Sequence, residues 1–283
     1  RDVLGSRGLG DVYKRQPFWD EDGKAYMVTA FARSRIGFKS MLYMSPIEPD
    51  CSGVLDDGQF IYDGHATQPT IEGPKLYKRN GYYYIFAPAG GVKPGWQTVL
   101  RSKNIYGPWE EKIVLHQGNS PVNGPHQGAW VDTPDGQDWF LHFQDVGNAG
   151  RIVHLQPMHW ENDWPVIGVN EVDGCGEPVL TYQKPNIGKT YPICTPQESD
   201  EFDGYTLSPQ WQWHANINEK WAYYAGDQSY VRLYSYPVPQ DYKNLWDVAN
   251  LLLQKTPSDN FTATMKLTFT PNPKLKGERT GLV

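Results

Sequence analysis

The sequence predicts an all-β fold, because a hairpin phrase recurs and strand-like runs follow it without helical periodicity. The phrase joins an apolar run, an acidic or Asn turn ending in Gly, and an aromatic run, at residues 17–26, 74–84 and 129–139. Asp-Gly and Asn-Gly turns are strong hairpin signals, since Gly and Asn tolerate the positive φ of a tight turn. The turn glycines Gly23, Gly81 and Gly136 are 58 and 55 residues apart. Hairpin repeats of about 50 residues are typical of β-propeller blades.

The other elements are predicted from alternating runs of apolar and polar residues. Within the repeats, strands are expected at residues 24–31, 82–87, 98–102, 139–143 and 151–157. Residues 183–198, with prolines at 185, 192 and 196, are typical of an extended linker. The runs 230–234 and 261–269 predict a second all-β unit, a sandwich, over residues 199–283. Its last ten residues enter a further strand, so this unit is expected to be incomplete.

The first sixteen residues are expected to have no place in the fold. They lack the apolar core and the cleavage site of a signal peptide, and they resemble translated sequencing adaptor, so they are excluded from fold reasoning. Their glycines and cations offer little apolar surface to offset ordering. The native protein is then expected to begin near Pro17, inside a blade, with residues 17–182 forming a partial propeller.

Composition narrows the class of protein. The formal charge of the 283 residues is −6, without a Lys/Arg cluster, which argues against nucleic-acid binding. No apolar run approaches the ~20 residues of a membrane span. The three cysteines, Cys51, Cys175 and Cys194, match no metal spacing and are interpreted as separate thiols. An aromatic content of 14% suits sugar rings, whose axial C–H bonds stack on aromatic faces.

Counting back from the turn glycines gives the candidate site, because the inner strands of a propeller converge on its axis. Glu72 and His126 lie nine and ten residues before the second and third turn glycines, and Lys14 lies nine before the first. Glu72 and His126 are therefore expected to face one pocket. The acidic cluster at residues 20–22 sits at a hairpin tip and is interpreted as turn chemistry.

Several motifs together resemble glycoside hydrolase family 43. They are residues 18–26, 71–84, 101–109, 125–128 and 150–151, followed by 160–165. The resemblance covers residues 17 to about 180, and residues 200–283 are similar to the concanavalin-like β-sandwich that often follows the propeller. It implies an N-terminally truncated five-bladed propeller from a family of β-xylosidases, α-L-arabinofuranosidases and arabinanases.

The resemblance also implies roles for individual residues. Glu72 matches the general acid of an inverting mechanism, and Lys14 stands where the family has the Asp that tunes this acid. The base Asp is expected further upstream, so the fragment itself is expected to be inactive. His126 matches an axial His near a water or ion, and Arg151 matches a sugar-contacting Arg. Neighbouring candidates for the pocket lining are Gln127 and Trp96, with Gln68 and Gln144.

The resemblance implies no required cofactor, and it allows a Ca²⁺ ion at the axis beside His126 or in the sandwich near Asp200 and Asp203. The expected partners are plant cell-wall oligosaccharides such as xylan and arabinoxylan. A secreted or periplasmic location is favoured over a cytoplasmic one, although neither the cysteines nor the N-terminus decide the compartment.

Other functions stay open from the sequence. A non-catalytic carbohydrate-binding fragment and an arabinanase-type hydrolase are the main alternatives. A non-enzymatic interaction propeller would not place a carboxylate such as Glu72 at an inner strand. A sialidase-like propeller would carry S-x-D-x-G-x-T-W turns, whereas residues 133–136 lack the residue between Asp and Gly. Xylose and arabinofuranose specificity are not distinguished.

Overall fold

The structure, a computed structural model, describes residues 13–283, and these described residues divide into two compact units, 13–190 and 191–283. The division falls within the segment predicted as a linker. The first unit holds fourteen strands and one short α-helix, and each element is bounded as follows: β1 (Tyr13–Trp19), β2 (Ala25–Ala30), α1 (Arg33–Ile36), β3 (Met41–Ile47), β4 (Gln59–Asp63), β5 (Lys75–Arg79), β6 (Tyr82–Ala89), β7 (Trp96–Ser102), β8 (Glu110–Leu115), β9 (His126–Asp132), β10 (Asp138–Asp145), β11 (Arg151–Glu161), β12 (Trp164–Ile167), β13 (Val169–Val172) and β14 (Cys175–Glu177).

The first unit is built of three antiparallel four-stranded sheets. Their strand orders are β1-β2-β3-β4, β5-β6-β7-β8 and β9-β10-β11-β12. Strand β14 pairs parallel to β8 and antiparallel to β13, so that these two strands extend the middle sheet to six. Up-and-down sheets that follow one another along the chain are propeller blades. The predicted all-β propeller class is confirmed.

Each blade begins with one of the three predicted hairpins, which are confirmed. The turns join β1 to β2, β5 to β6 and β9 to β10. Gly23, Gly81 and Gly136 have φ of +82°, +72° and +80°, and Asn80 also lies in the left-handed region at +51°. The sequence located these turns because only Gly and Asn adopt such φ values readily.

The blades pack face to face through the alternating side chains of the middle blade. On β6, Ile85 and Ala87 join the apolar cluster shared with the first blade, and Tyr84 and Phe86 join the cluster shared with the third. All four side chains are fully buried. The twofold periodicity of a strand thus fills both faces of the blade.

The strand β1 begins earlier than expected from the sequence. Residues 1–12 lie outside the described part of the chain. Tyr13 pairs with Ala30 and Arg15 with Thr29, while the side-chain Oε1 of Gln16 accepts a hydrogen bond from the Leu76 N–H at 2.7 Å. The expectation that residues 1–16 have no place in the fold therefore does not hold for residues 13–16. Strand pairing uses backbone groups, which the argument from side-chain composition did not consider.

The second unit contains four short strands in two pairs: β15 (Gln212–Trp213) with β18 (Leu252–Leu253), and β16 (Ala222–Ala225) with β17 (Tyr230–Leu233). Three 3₁₀ turns lie here, Glu219–Trp221, Gly226–Gln228 and Leu245–Asp247, and a fourth, Gly147–Ala149, lies in the first unit. The run 261–269, predicted as a strand, forms none. Alternation makes a strand only where a partner strand supplies hydrogen bonds, and this run pairs with no described segment.

In the second unit, the Asp-Glu-Phe-Asp segment at residues 200–203 contacts the Gln-Trp-Gln-Trp segment at residues 210–213. The Asp200 carboxylate accepts hydrogen bonds from the Trp211 indole N–H at 2.8 Å and from the Phe202 backbone N–H at 2.8 Å. The rings of Phe202 and Trp211 stack with centroids 5.4 Å apart. Asp200 therefore acts as a turn acid here.

No described helix is long and apolar enough to cross a membrane.

Candidate active site

Glu72 lies in the loop that leads into β5, and the local backbone fixes it in place. Its backbone N–H donates to the Pro88 carbonyl at 3.0 Å, across the first pair of strands of the middle blade. Gly73 follows with φ of +54°. A Cβ at Gly73 would lie 2.1 Å from the side-chain oxygen of Gln127, so only glycine allows Gln127 to approach.

Side chains from three blades meet at the Glu72 carboxylate. Its Oε1 accepts hydrogen bonds from Lys14 Nζ at 2.7 Å, His126 Nε2 at 2.8 Å and Gln127 Nε2 at 2.9 Å. The Glu72 side chain is 17% exposed and that of His126 is fully buried. The positions counted back from the turn glycines thus lie at one point.

The first and third blades bring their residues there by the same register. Both opening hairpins have five-residue turns, closed by the pairs Trp19–Ala25 and Asp132–Asp138. Each first strand then carries an irregularity near its start, with Lys14 at φ +51° in β1 and Gln127 at φ +54° in β9. Lys14 is therefore the counterpart of Gln127.

This register corrects the equivalence drawn from counting. His126 pairs with Phe143, and the corresponding pair in the first blade is Tyr13 with Ala30. Tyr13, rather than Lys14, is the backbone counterpart of His126. The count missed this because Lys14 is nine residues before its turn glycine and His126 ten, although the two turns have the same length; the residue nine before Gly136 is Gln127.

The electrostatics of Glu72 favour its ionised form. Burial raises the pKa of Glu72, but the hydrogen bonds from His126 and Lys14 and the positive charge of Lys14 outweigh it, so the pKa lies below its ordinary value. Lys75 is close by, and burial followed by the charge of Lys14 lowers the pKa of its amine. Glu72 in this chain is therefore an ionised carboxylate paired with the Lys14 ammonium, whereas a general acid must hold a proton.

Trp96 is fixed to the segment that precedes Glu72. Its indole N–H donates to Gln68 Oε1 at 2.8 Å, and Thr98 donates to the same oxygen at 2.5 Å. Gln68 is 3% exposed. The partly buried Trp96 and the buried Gln68 thus support the loop that carries Glu72, and their described bonds do not include Glu72 itself.

Arg151 is linked to the site by the Phe143 ring, which lies between its guanidinium and His126. Its guanidinium lies 4.7 Å from the centre of the Phe143 ring, and that ring is 5.8 Å from the His126 ring. Gln144, next along β10, donates to the Asn123 side chain at 2.9 Å and so braces the loop leading to His126. Arg151 is exposed, which leaves its guanidinium accessible from solvent.

The described residues do not assemble a metal centre. Within residues 13–283 there is no group of three or more His, Cys, Asp or Glu side chains that could hold a metal ion. His126 uses Nε2 for Glu72, and its buried Nδ1 has no hydrogen-bond partner among the described atoms. The described cysteines Cys51, Cys175 and Cys194 are free thiols.

Sequence reasoning missed the contact made by Lys14 and the role of Asp20. Asp20 was interpreted as a turn residue, and its carbonyl does close the turn with Gly23. Its largely buried carboxylate also accepts hydrogen bonds from Lys78 and Tyr83 of the middle blade. The signal available was the position of Lys78 and Tyr83 in the neighbouring hairpin, which counting within one repeat does not reveal.

Comparison with known proteins matches each of the two units to a described family. Residues 16–165 match the family described as Glycosyl hydrolases family 43, and residues 199–283 match a Beta xylosidase C-terminal Concanavalin A-like domain. A putative beta-xylosidase of Xylanibacter ruminicola is 49% identical over 209 residues, which are 72% of this chain and 38% of the relative. A beta-xylosidase of Formosa agariphila is 37% identical over 234 residues, with the same shares.

A solved structure, the bifunctional GH43-CE protein of Bacteroides eggerthii, has a TM-score of 0.71 at 28% identity, covering 87% of this chain and 30% of that one. The chain spans 38% of the length of each of these two curated relatives. The family match takes in more than half of the 283 residues and contains Glu72, His126, Gln127, Trp96 and Arg151. This chain is a member of glycosyl hydrolases family 43.

Proposed function

We propose that this chain carries the acid-bearing part of an inverting glycoside hydrolase that releases xylose or L-arabinofuranose from xylan and arabinoxylan oligosaccharides. The observation that carries the proposal is the convergence of Glu72, His126 and Gln127 from two neighbouring blades, with bonds of 2.8 and 2.9 Å to one carboxylate oxygen. The family membership and the relatives named beta-xylosidases support the substrate class.

In this proposal Glu72 donates the proton to the glycosidic oxygen as the bond breaks. His126 and Gln127 hold its carboxyl group, because both reach Oε1 with nitrogen donors. Arg151 contacts the sugar from the open side of Phe143, and Trp96 supports the pocket wall. Inversion further requires a second carboxylate about 6.5–9.5 Å away to activate water. The described partners of Glu72 are not carboxylates.

A second candidate, sugar binding without cleavage, is favoured by Lys14. Its ammonium lies 2.7 Å from Glu72 Oε1 and lowers the pKa of that carboxyl, so the proton needed for the leaving group is missing at neutral pH. We therefore expect the unmodified chain to bind xylo-oligosaccharides but to release no xylose. Turnover of an aryl β-xyloside by the unmodified chain would contradict this account of Lys14.

The proposed chemistry uses carboxyl groups and water, so it needs no cofactor. We assign any Ca²⁺ beside His126 a structural role, and in the sandwich the Asp200 oxygens are already bonded to Trp211 and Phe202. In the active chimera described next, chelation with EDTA is then expected to leave the hydrolysis rate unchanged, and a loss restored by Ca²⁺ would assign the ion a part in the reaction.

The experiment is a chimera in which residues 16–165 replace the aligned residues of the Xylanibacter ruminicola relative. The chimera omits Lys14 and is expected to hydrolyse aryl β-xylosides. Proton NMR of the first product should show α-xylose, since inversion converts the β anomer. A chimera that folds but cleaves neither xylosides nor arabinofuranosides would contradict the proposal, and initial β-xylose would exclude inversion.

A further inference from the structure

A second concave surface lies on the third blade, away from Glu72. It is formed by the turn that joins β9 to β10, the paired strand β11 and the segment at residues 182–186, and it encloses about 390 Å³. Ligand pockets typically enclose about 300–1,000 Å³. The side chains that matter for its chemistry are Gln137, Trp139, His159, Tyr182, Lys184 and Asn186. None of them contacts the Glu72 site.

The wall of this groove is held in place although it contains no strand. The Asn186 backbone N–H donates to Gln137 Oε1 at 2.9 Å, across 49 residues of sequence. The Tyr182 ring stands edge-on to Trp139, with centroids 6.0 Å apart and an interplanar angle of 77°. Two contacts therefore attach the segment to the blade and set the width of the groove.

The groove combines an exposed aromatic wall with a buried aromatic floor. Tyr182 is 56% exposed, whereas Trp139 is 7% exposed. The indole Nε1–H of Trp139 is buried and has no hydrogen-bond partner among the described residues. A buried donor without a partner is unfavourable, so Trp139 at the floor of the groove is the residue most sensitive to what binds beside Tyr182.

The polar lining selects against strongly charged ligands. Gln137 and Asn186 contribute neutral amides, and the Asp138 carboxylate is already bonded to the Trp130 indole at 2.6 Å. Lys184 is the one ammonium group among the described lining residues. Sugars fit such a lining, because they are neutral and present apolar C–H faces to aromatic rings and hydroxyl groups to amides.

We infer that this groove is a second binding site, for a neutral oligosaccharide, separate from the site at Glu72. Tyr182 provides the stacking surface over the buried Trp139, and the side-chain amides of Gln137 and Asn186, whose oxygens already accept backbone bonds, donate to hydroxyl groups along the chain of sugars. His159 Nε2 is already paired with Glu161 at 2.9 Å. The inference rests on the proposed function only for the choice of xylan-type polymers as probes. Such a site holds a polymer on the blade while another of its residues occupies the Glu72 site.

The test is affinity electrophoresis of the full chain in gels that contain soluble arabinoxylan. Tyr182→Ala is expected to weaken retention by about tenfold, as for truncation of a central aromatic contact. Tyr223→Ala is the matched control, because Tyr223 is 54% exposed and lies in the second unit. It should leave retention unchanged. Circular dichroism of each variant checks that the fold is kept.

A second readout does not depend on any variant of the wall. Addition of xylohexaose should move the indole N–H resonance of Trp139, assigned with Trp139→Phe, in the ¹⁵N-labelled chain. An unmoved Trp139 resonance, or equal retention of Tyr182→Ala and the unmodified chain, would overturn the inference. Retention by polygalacturonate alone, lost in Lys184→Ala, would also overturn it, since the ligand would then be anionic.

Arg151→Ala separates the groove from the proposed function. Retention that Arg151→Ala abolishes and Tyr182→Ala leaves intact would place all polymer binding at the Glu72 site and reject the groove. Retention lost in Tyr182→Ala, but given by a neutral β-glucan and not by xylan, would support the groove and reject the proposed substrate class.

Discussion

Lys14 adds a positive charge to the hydrogen bonds that hold the Glu72 carboxylate. Lys14 donates to the same oxygen as His126 and Gln127, and it is the one partner of the three that carries a fixed positive charge. A general acid at neutral pH needs a raised pKa, which burial supplies and a neighbouring cation removes. His126 and Lys14 together therefore keep this carboxyl group ionised, and Lys14 is the partner whose removal also takes away a charge.

Lys14→Met is expected to raise the pKa of Glu72, because it removes a hydrogen bond and a charge but leaves the burial. The pKa of folded Glu72 lies below its unfolded value, so the pair stabilises the fold at pH above that value. This stabilisation is lost as the pH falls through the folded pKa. Carbon-13 NMR titration of the glutamate carboxyl groups, assigned with Glu72→Gln, measures the shift.

The control for this prediction is Lys24→Met. Lys24 pairs with Asp22 at an exposed turn, so its loss should leave the Glu72 titration unchanged. An identical Glu72 pKa in the unmodified chain and in Lys14→Met would mean that His126 alone sets the ionisation of the carboxyl group.

At the scale of elements, a carboxylate ties the first hairpin to the middle blade. The Asp20 side chain is 7% exposed and accepts hydrogen bonds from Lys78 and Tyr83. Burial raises the pKa of Asp20, but the hydrogen bonds from Lys78 and Tyr83 outweigh burial, so the pKa lies below its ordinary value. The contact therefore joins β1–β2 to β5–β6 in a pH-dependent way.

Asp20→Asn is expected to lower the free energy of unfolding by roughly 1–2 kcal/mol at pH 7, because a charged acceptor becomes a neutral one. Since the folded pKa is lowered, the difference between Asn and Asp should shrink as the pH falls below about 4 and the aspartate becomes protonated. Urea denaturation at pH 7 and pH 3 measures both effects. A difference that stays constant between the two pH values would show that the carboxylate charge contributes nothing.

The inner strand of the third blade depends on a glycine at a close approach. A Cβ at Gly128 would lie 1.8 Å from the ring of Phe140, which is fully buried. Gly128→Ala is expected to destabilise the first unit by roughly 3 kcal/mol, since the core must move to admit a methyl group. The shift of the urea midpoint, followed by tryptophan fluorescence, measures the loss.

Gly53→Ala is the matched control, because Gly53 has no atom within 4 Å of the added Cβ and no positive φ. Its expected change is within about 0.5 kcal/mol. Equal midpoints for Gly128→Ala and Gly53→Ala would contradict the close packing of β9 against Phe140.

The elements that the sequence revealed are those with local signals. Gly23, Gly81 and Gly136 marked three hairpins, because positive φ is a property of single residues. Glu72 and His126 followed from their spacing to those turns. The strands β3 and β8 were not predicted, since their pattern is set by packing between blades. The bulge that gives Lys14 in β1 the position equivalent to Gln127 in β9 also has no local signal, because a bulge depends on the pairing of two strands.

On the scale of the whole molecule, the propeller unit brings together groups that are distant in sequence. The nitrogen donors of His126 and Gln127 follow Glu72 by 54 and 55 residues and both contact its carboxyl group. The wheel of blades makes this possible because each inner strand starts near the axis. His126 and Gln127 lie on β9, and rigid strands hold such groups more accurately than loops do, while Glu72 is fixed by the backbone bond of its loop to Pro88. The central claim is that this geometry serves proton donation by Glu72 to a leaving sugar oxygen.

The most direct test of that claim is the leaving-group dependence of Glu72→Gln in the chimera. The amide keeps the shape of the site but cannot donate a proton, so the rate on a xyloside with a basic leaving group should fall by roughly 10²–10⁴. A nitrophenyl leaving group needs little protonation and should recover most of the rate. Equal losses for the good and the poor leaving group would contradict the assignment of Glu72 as the acid.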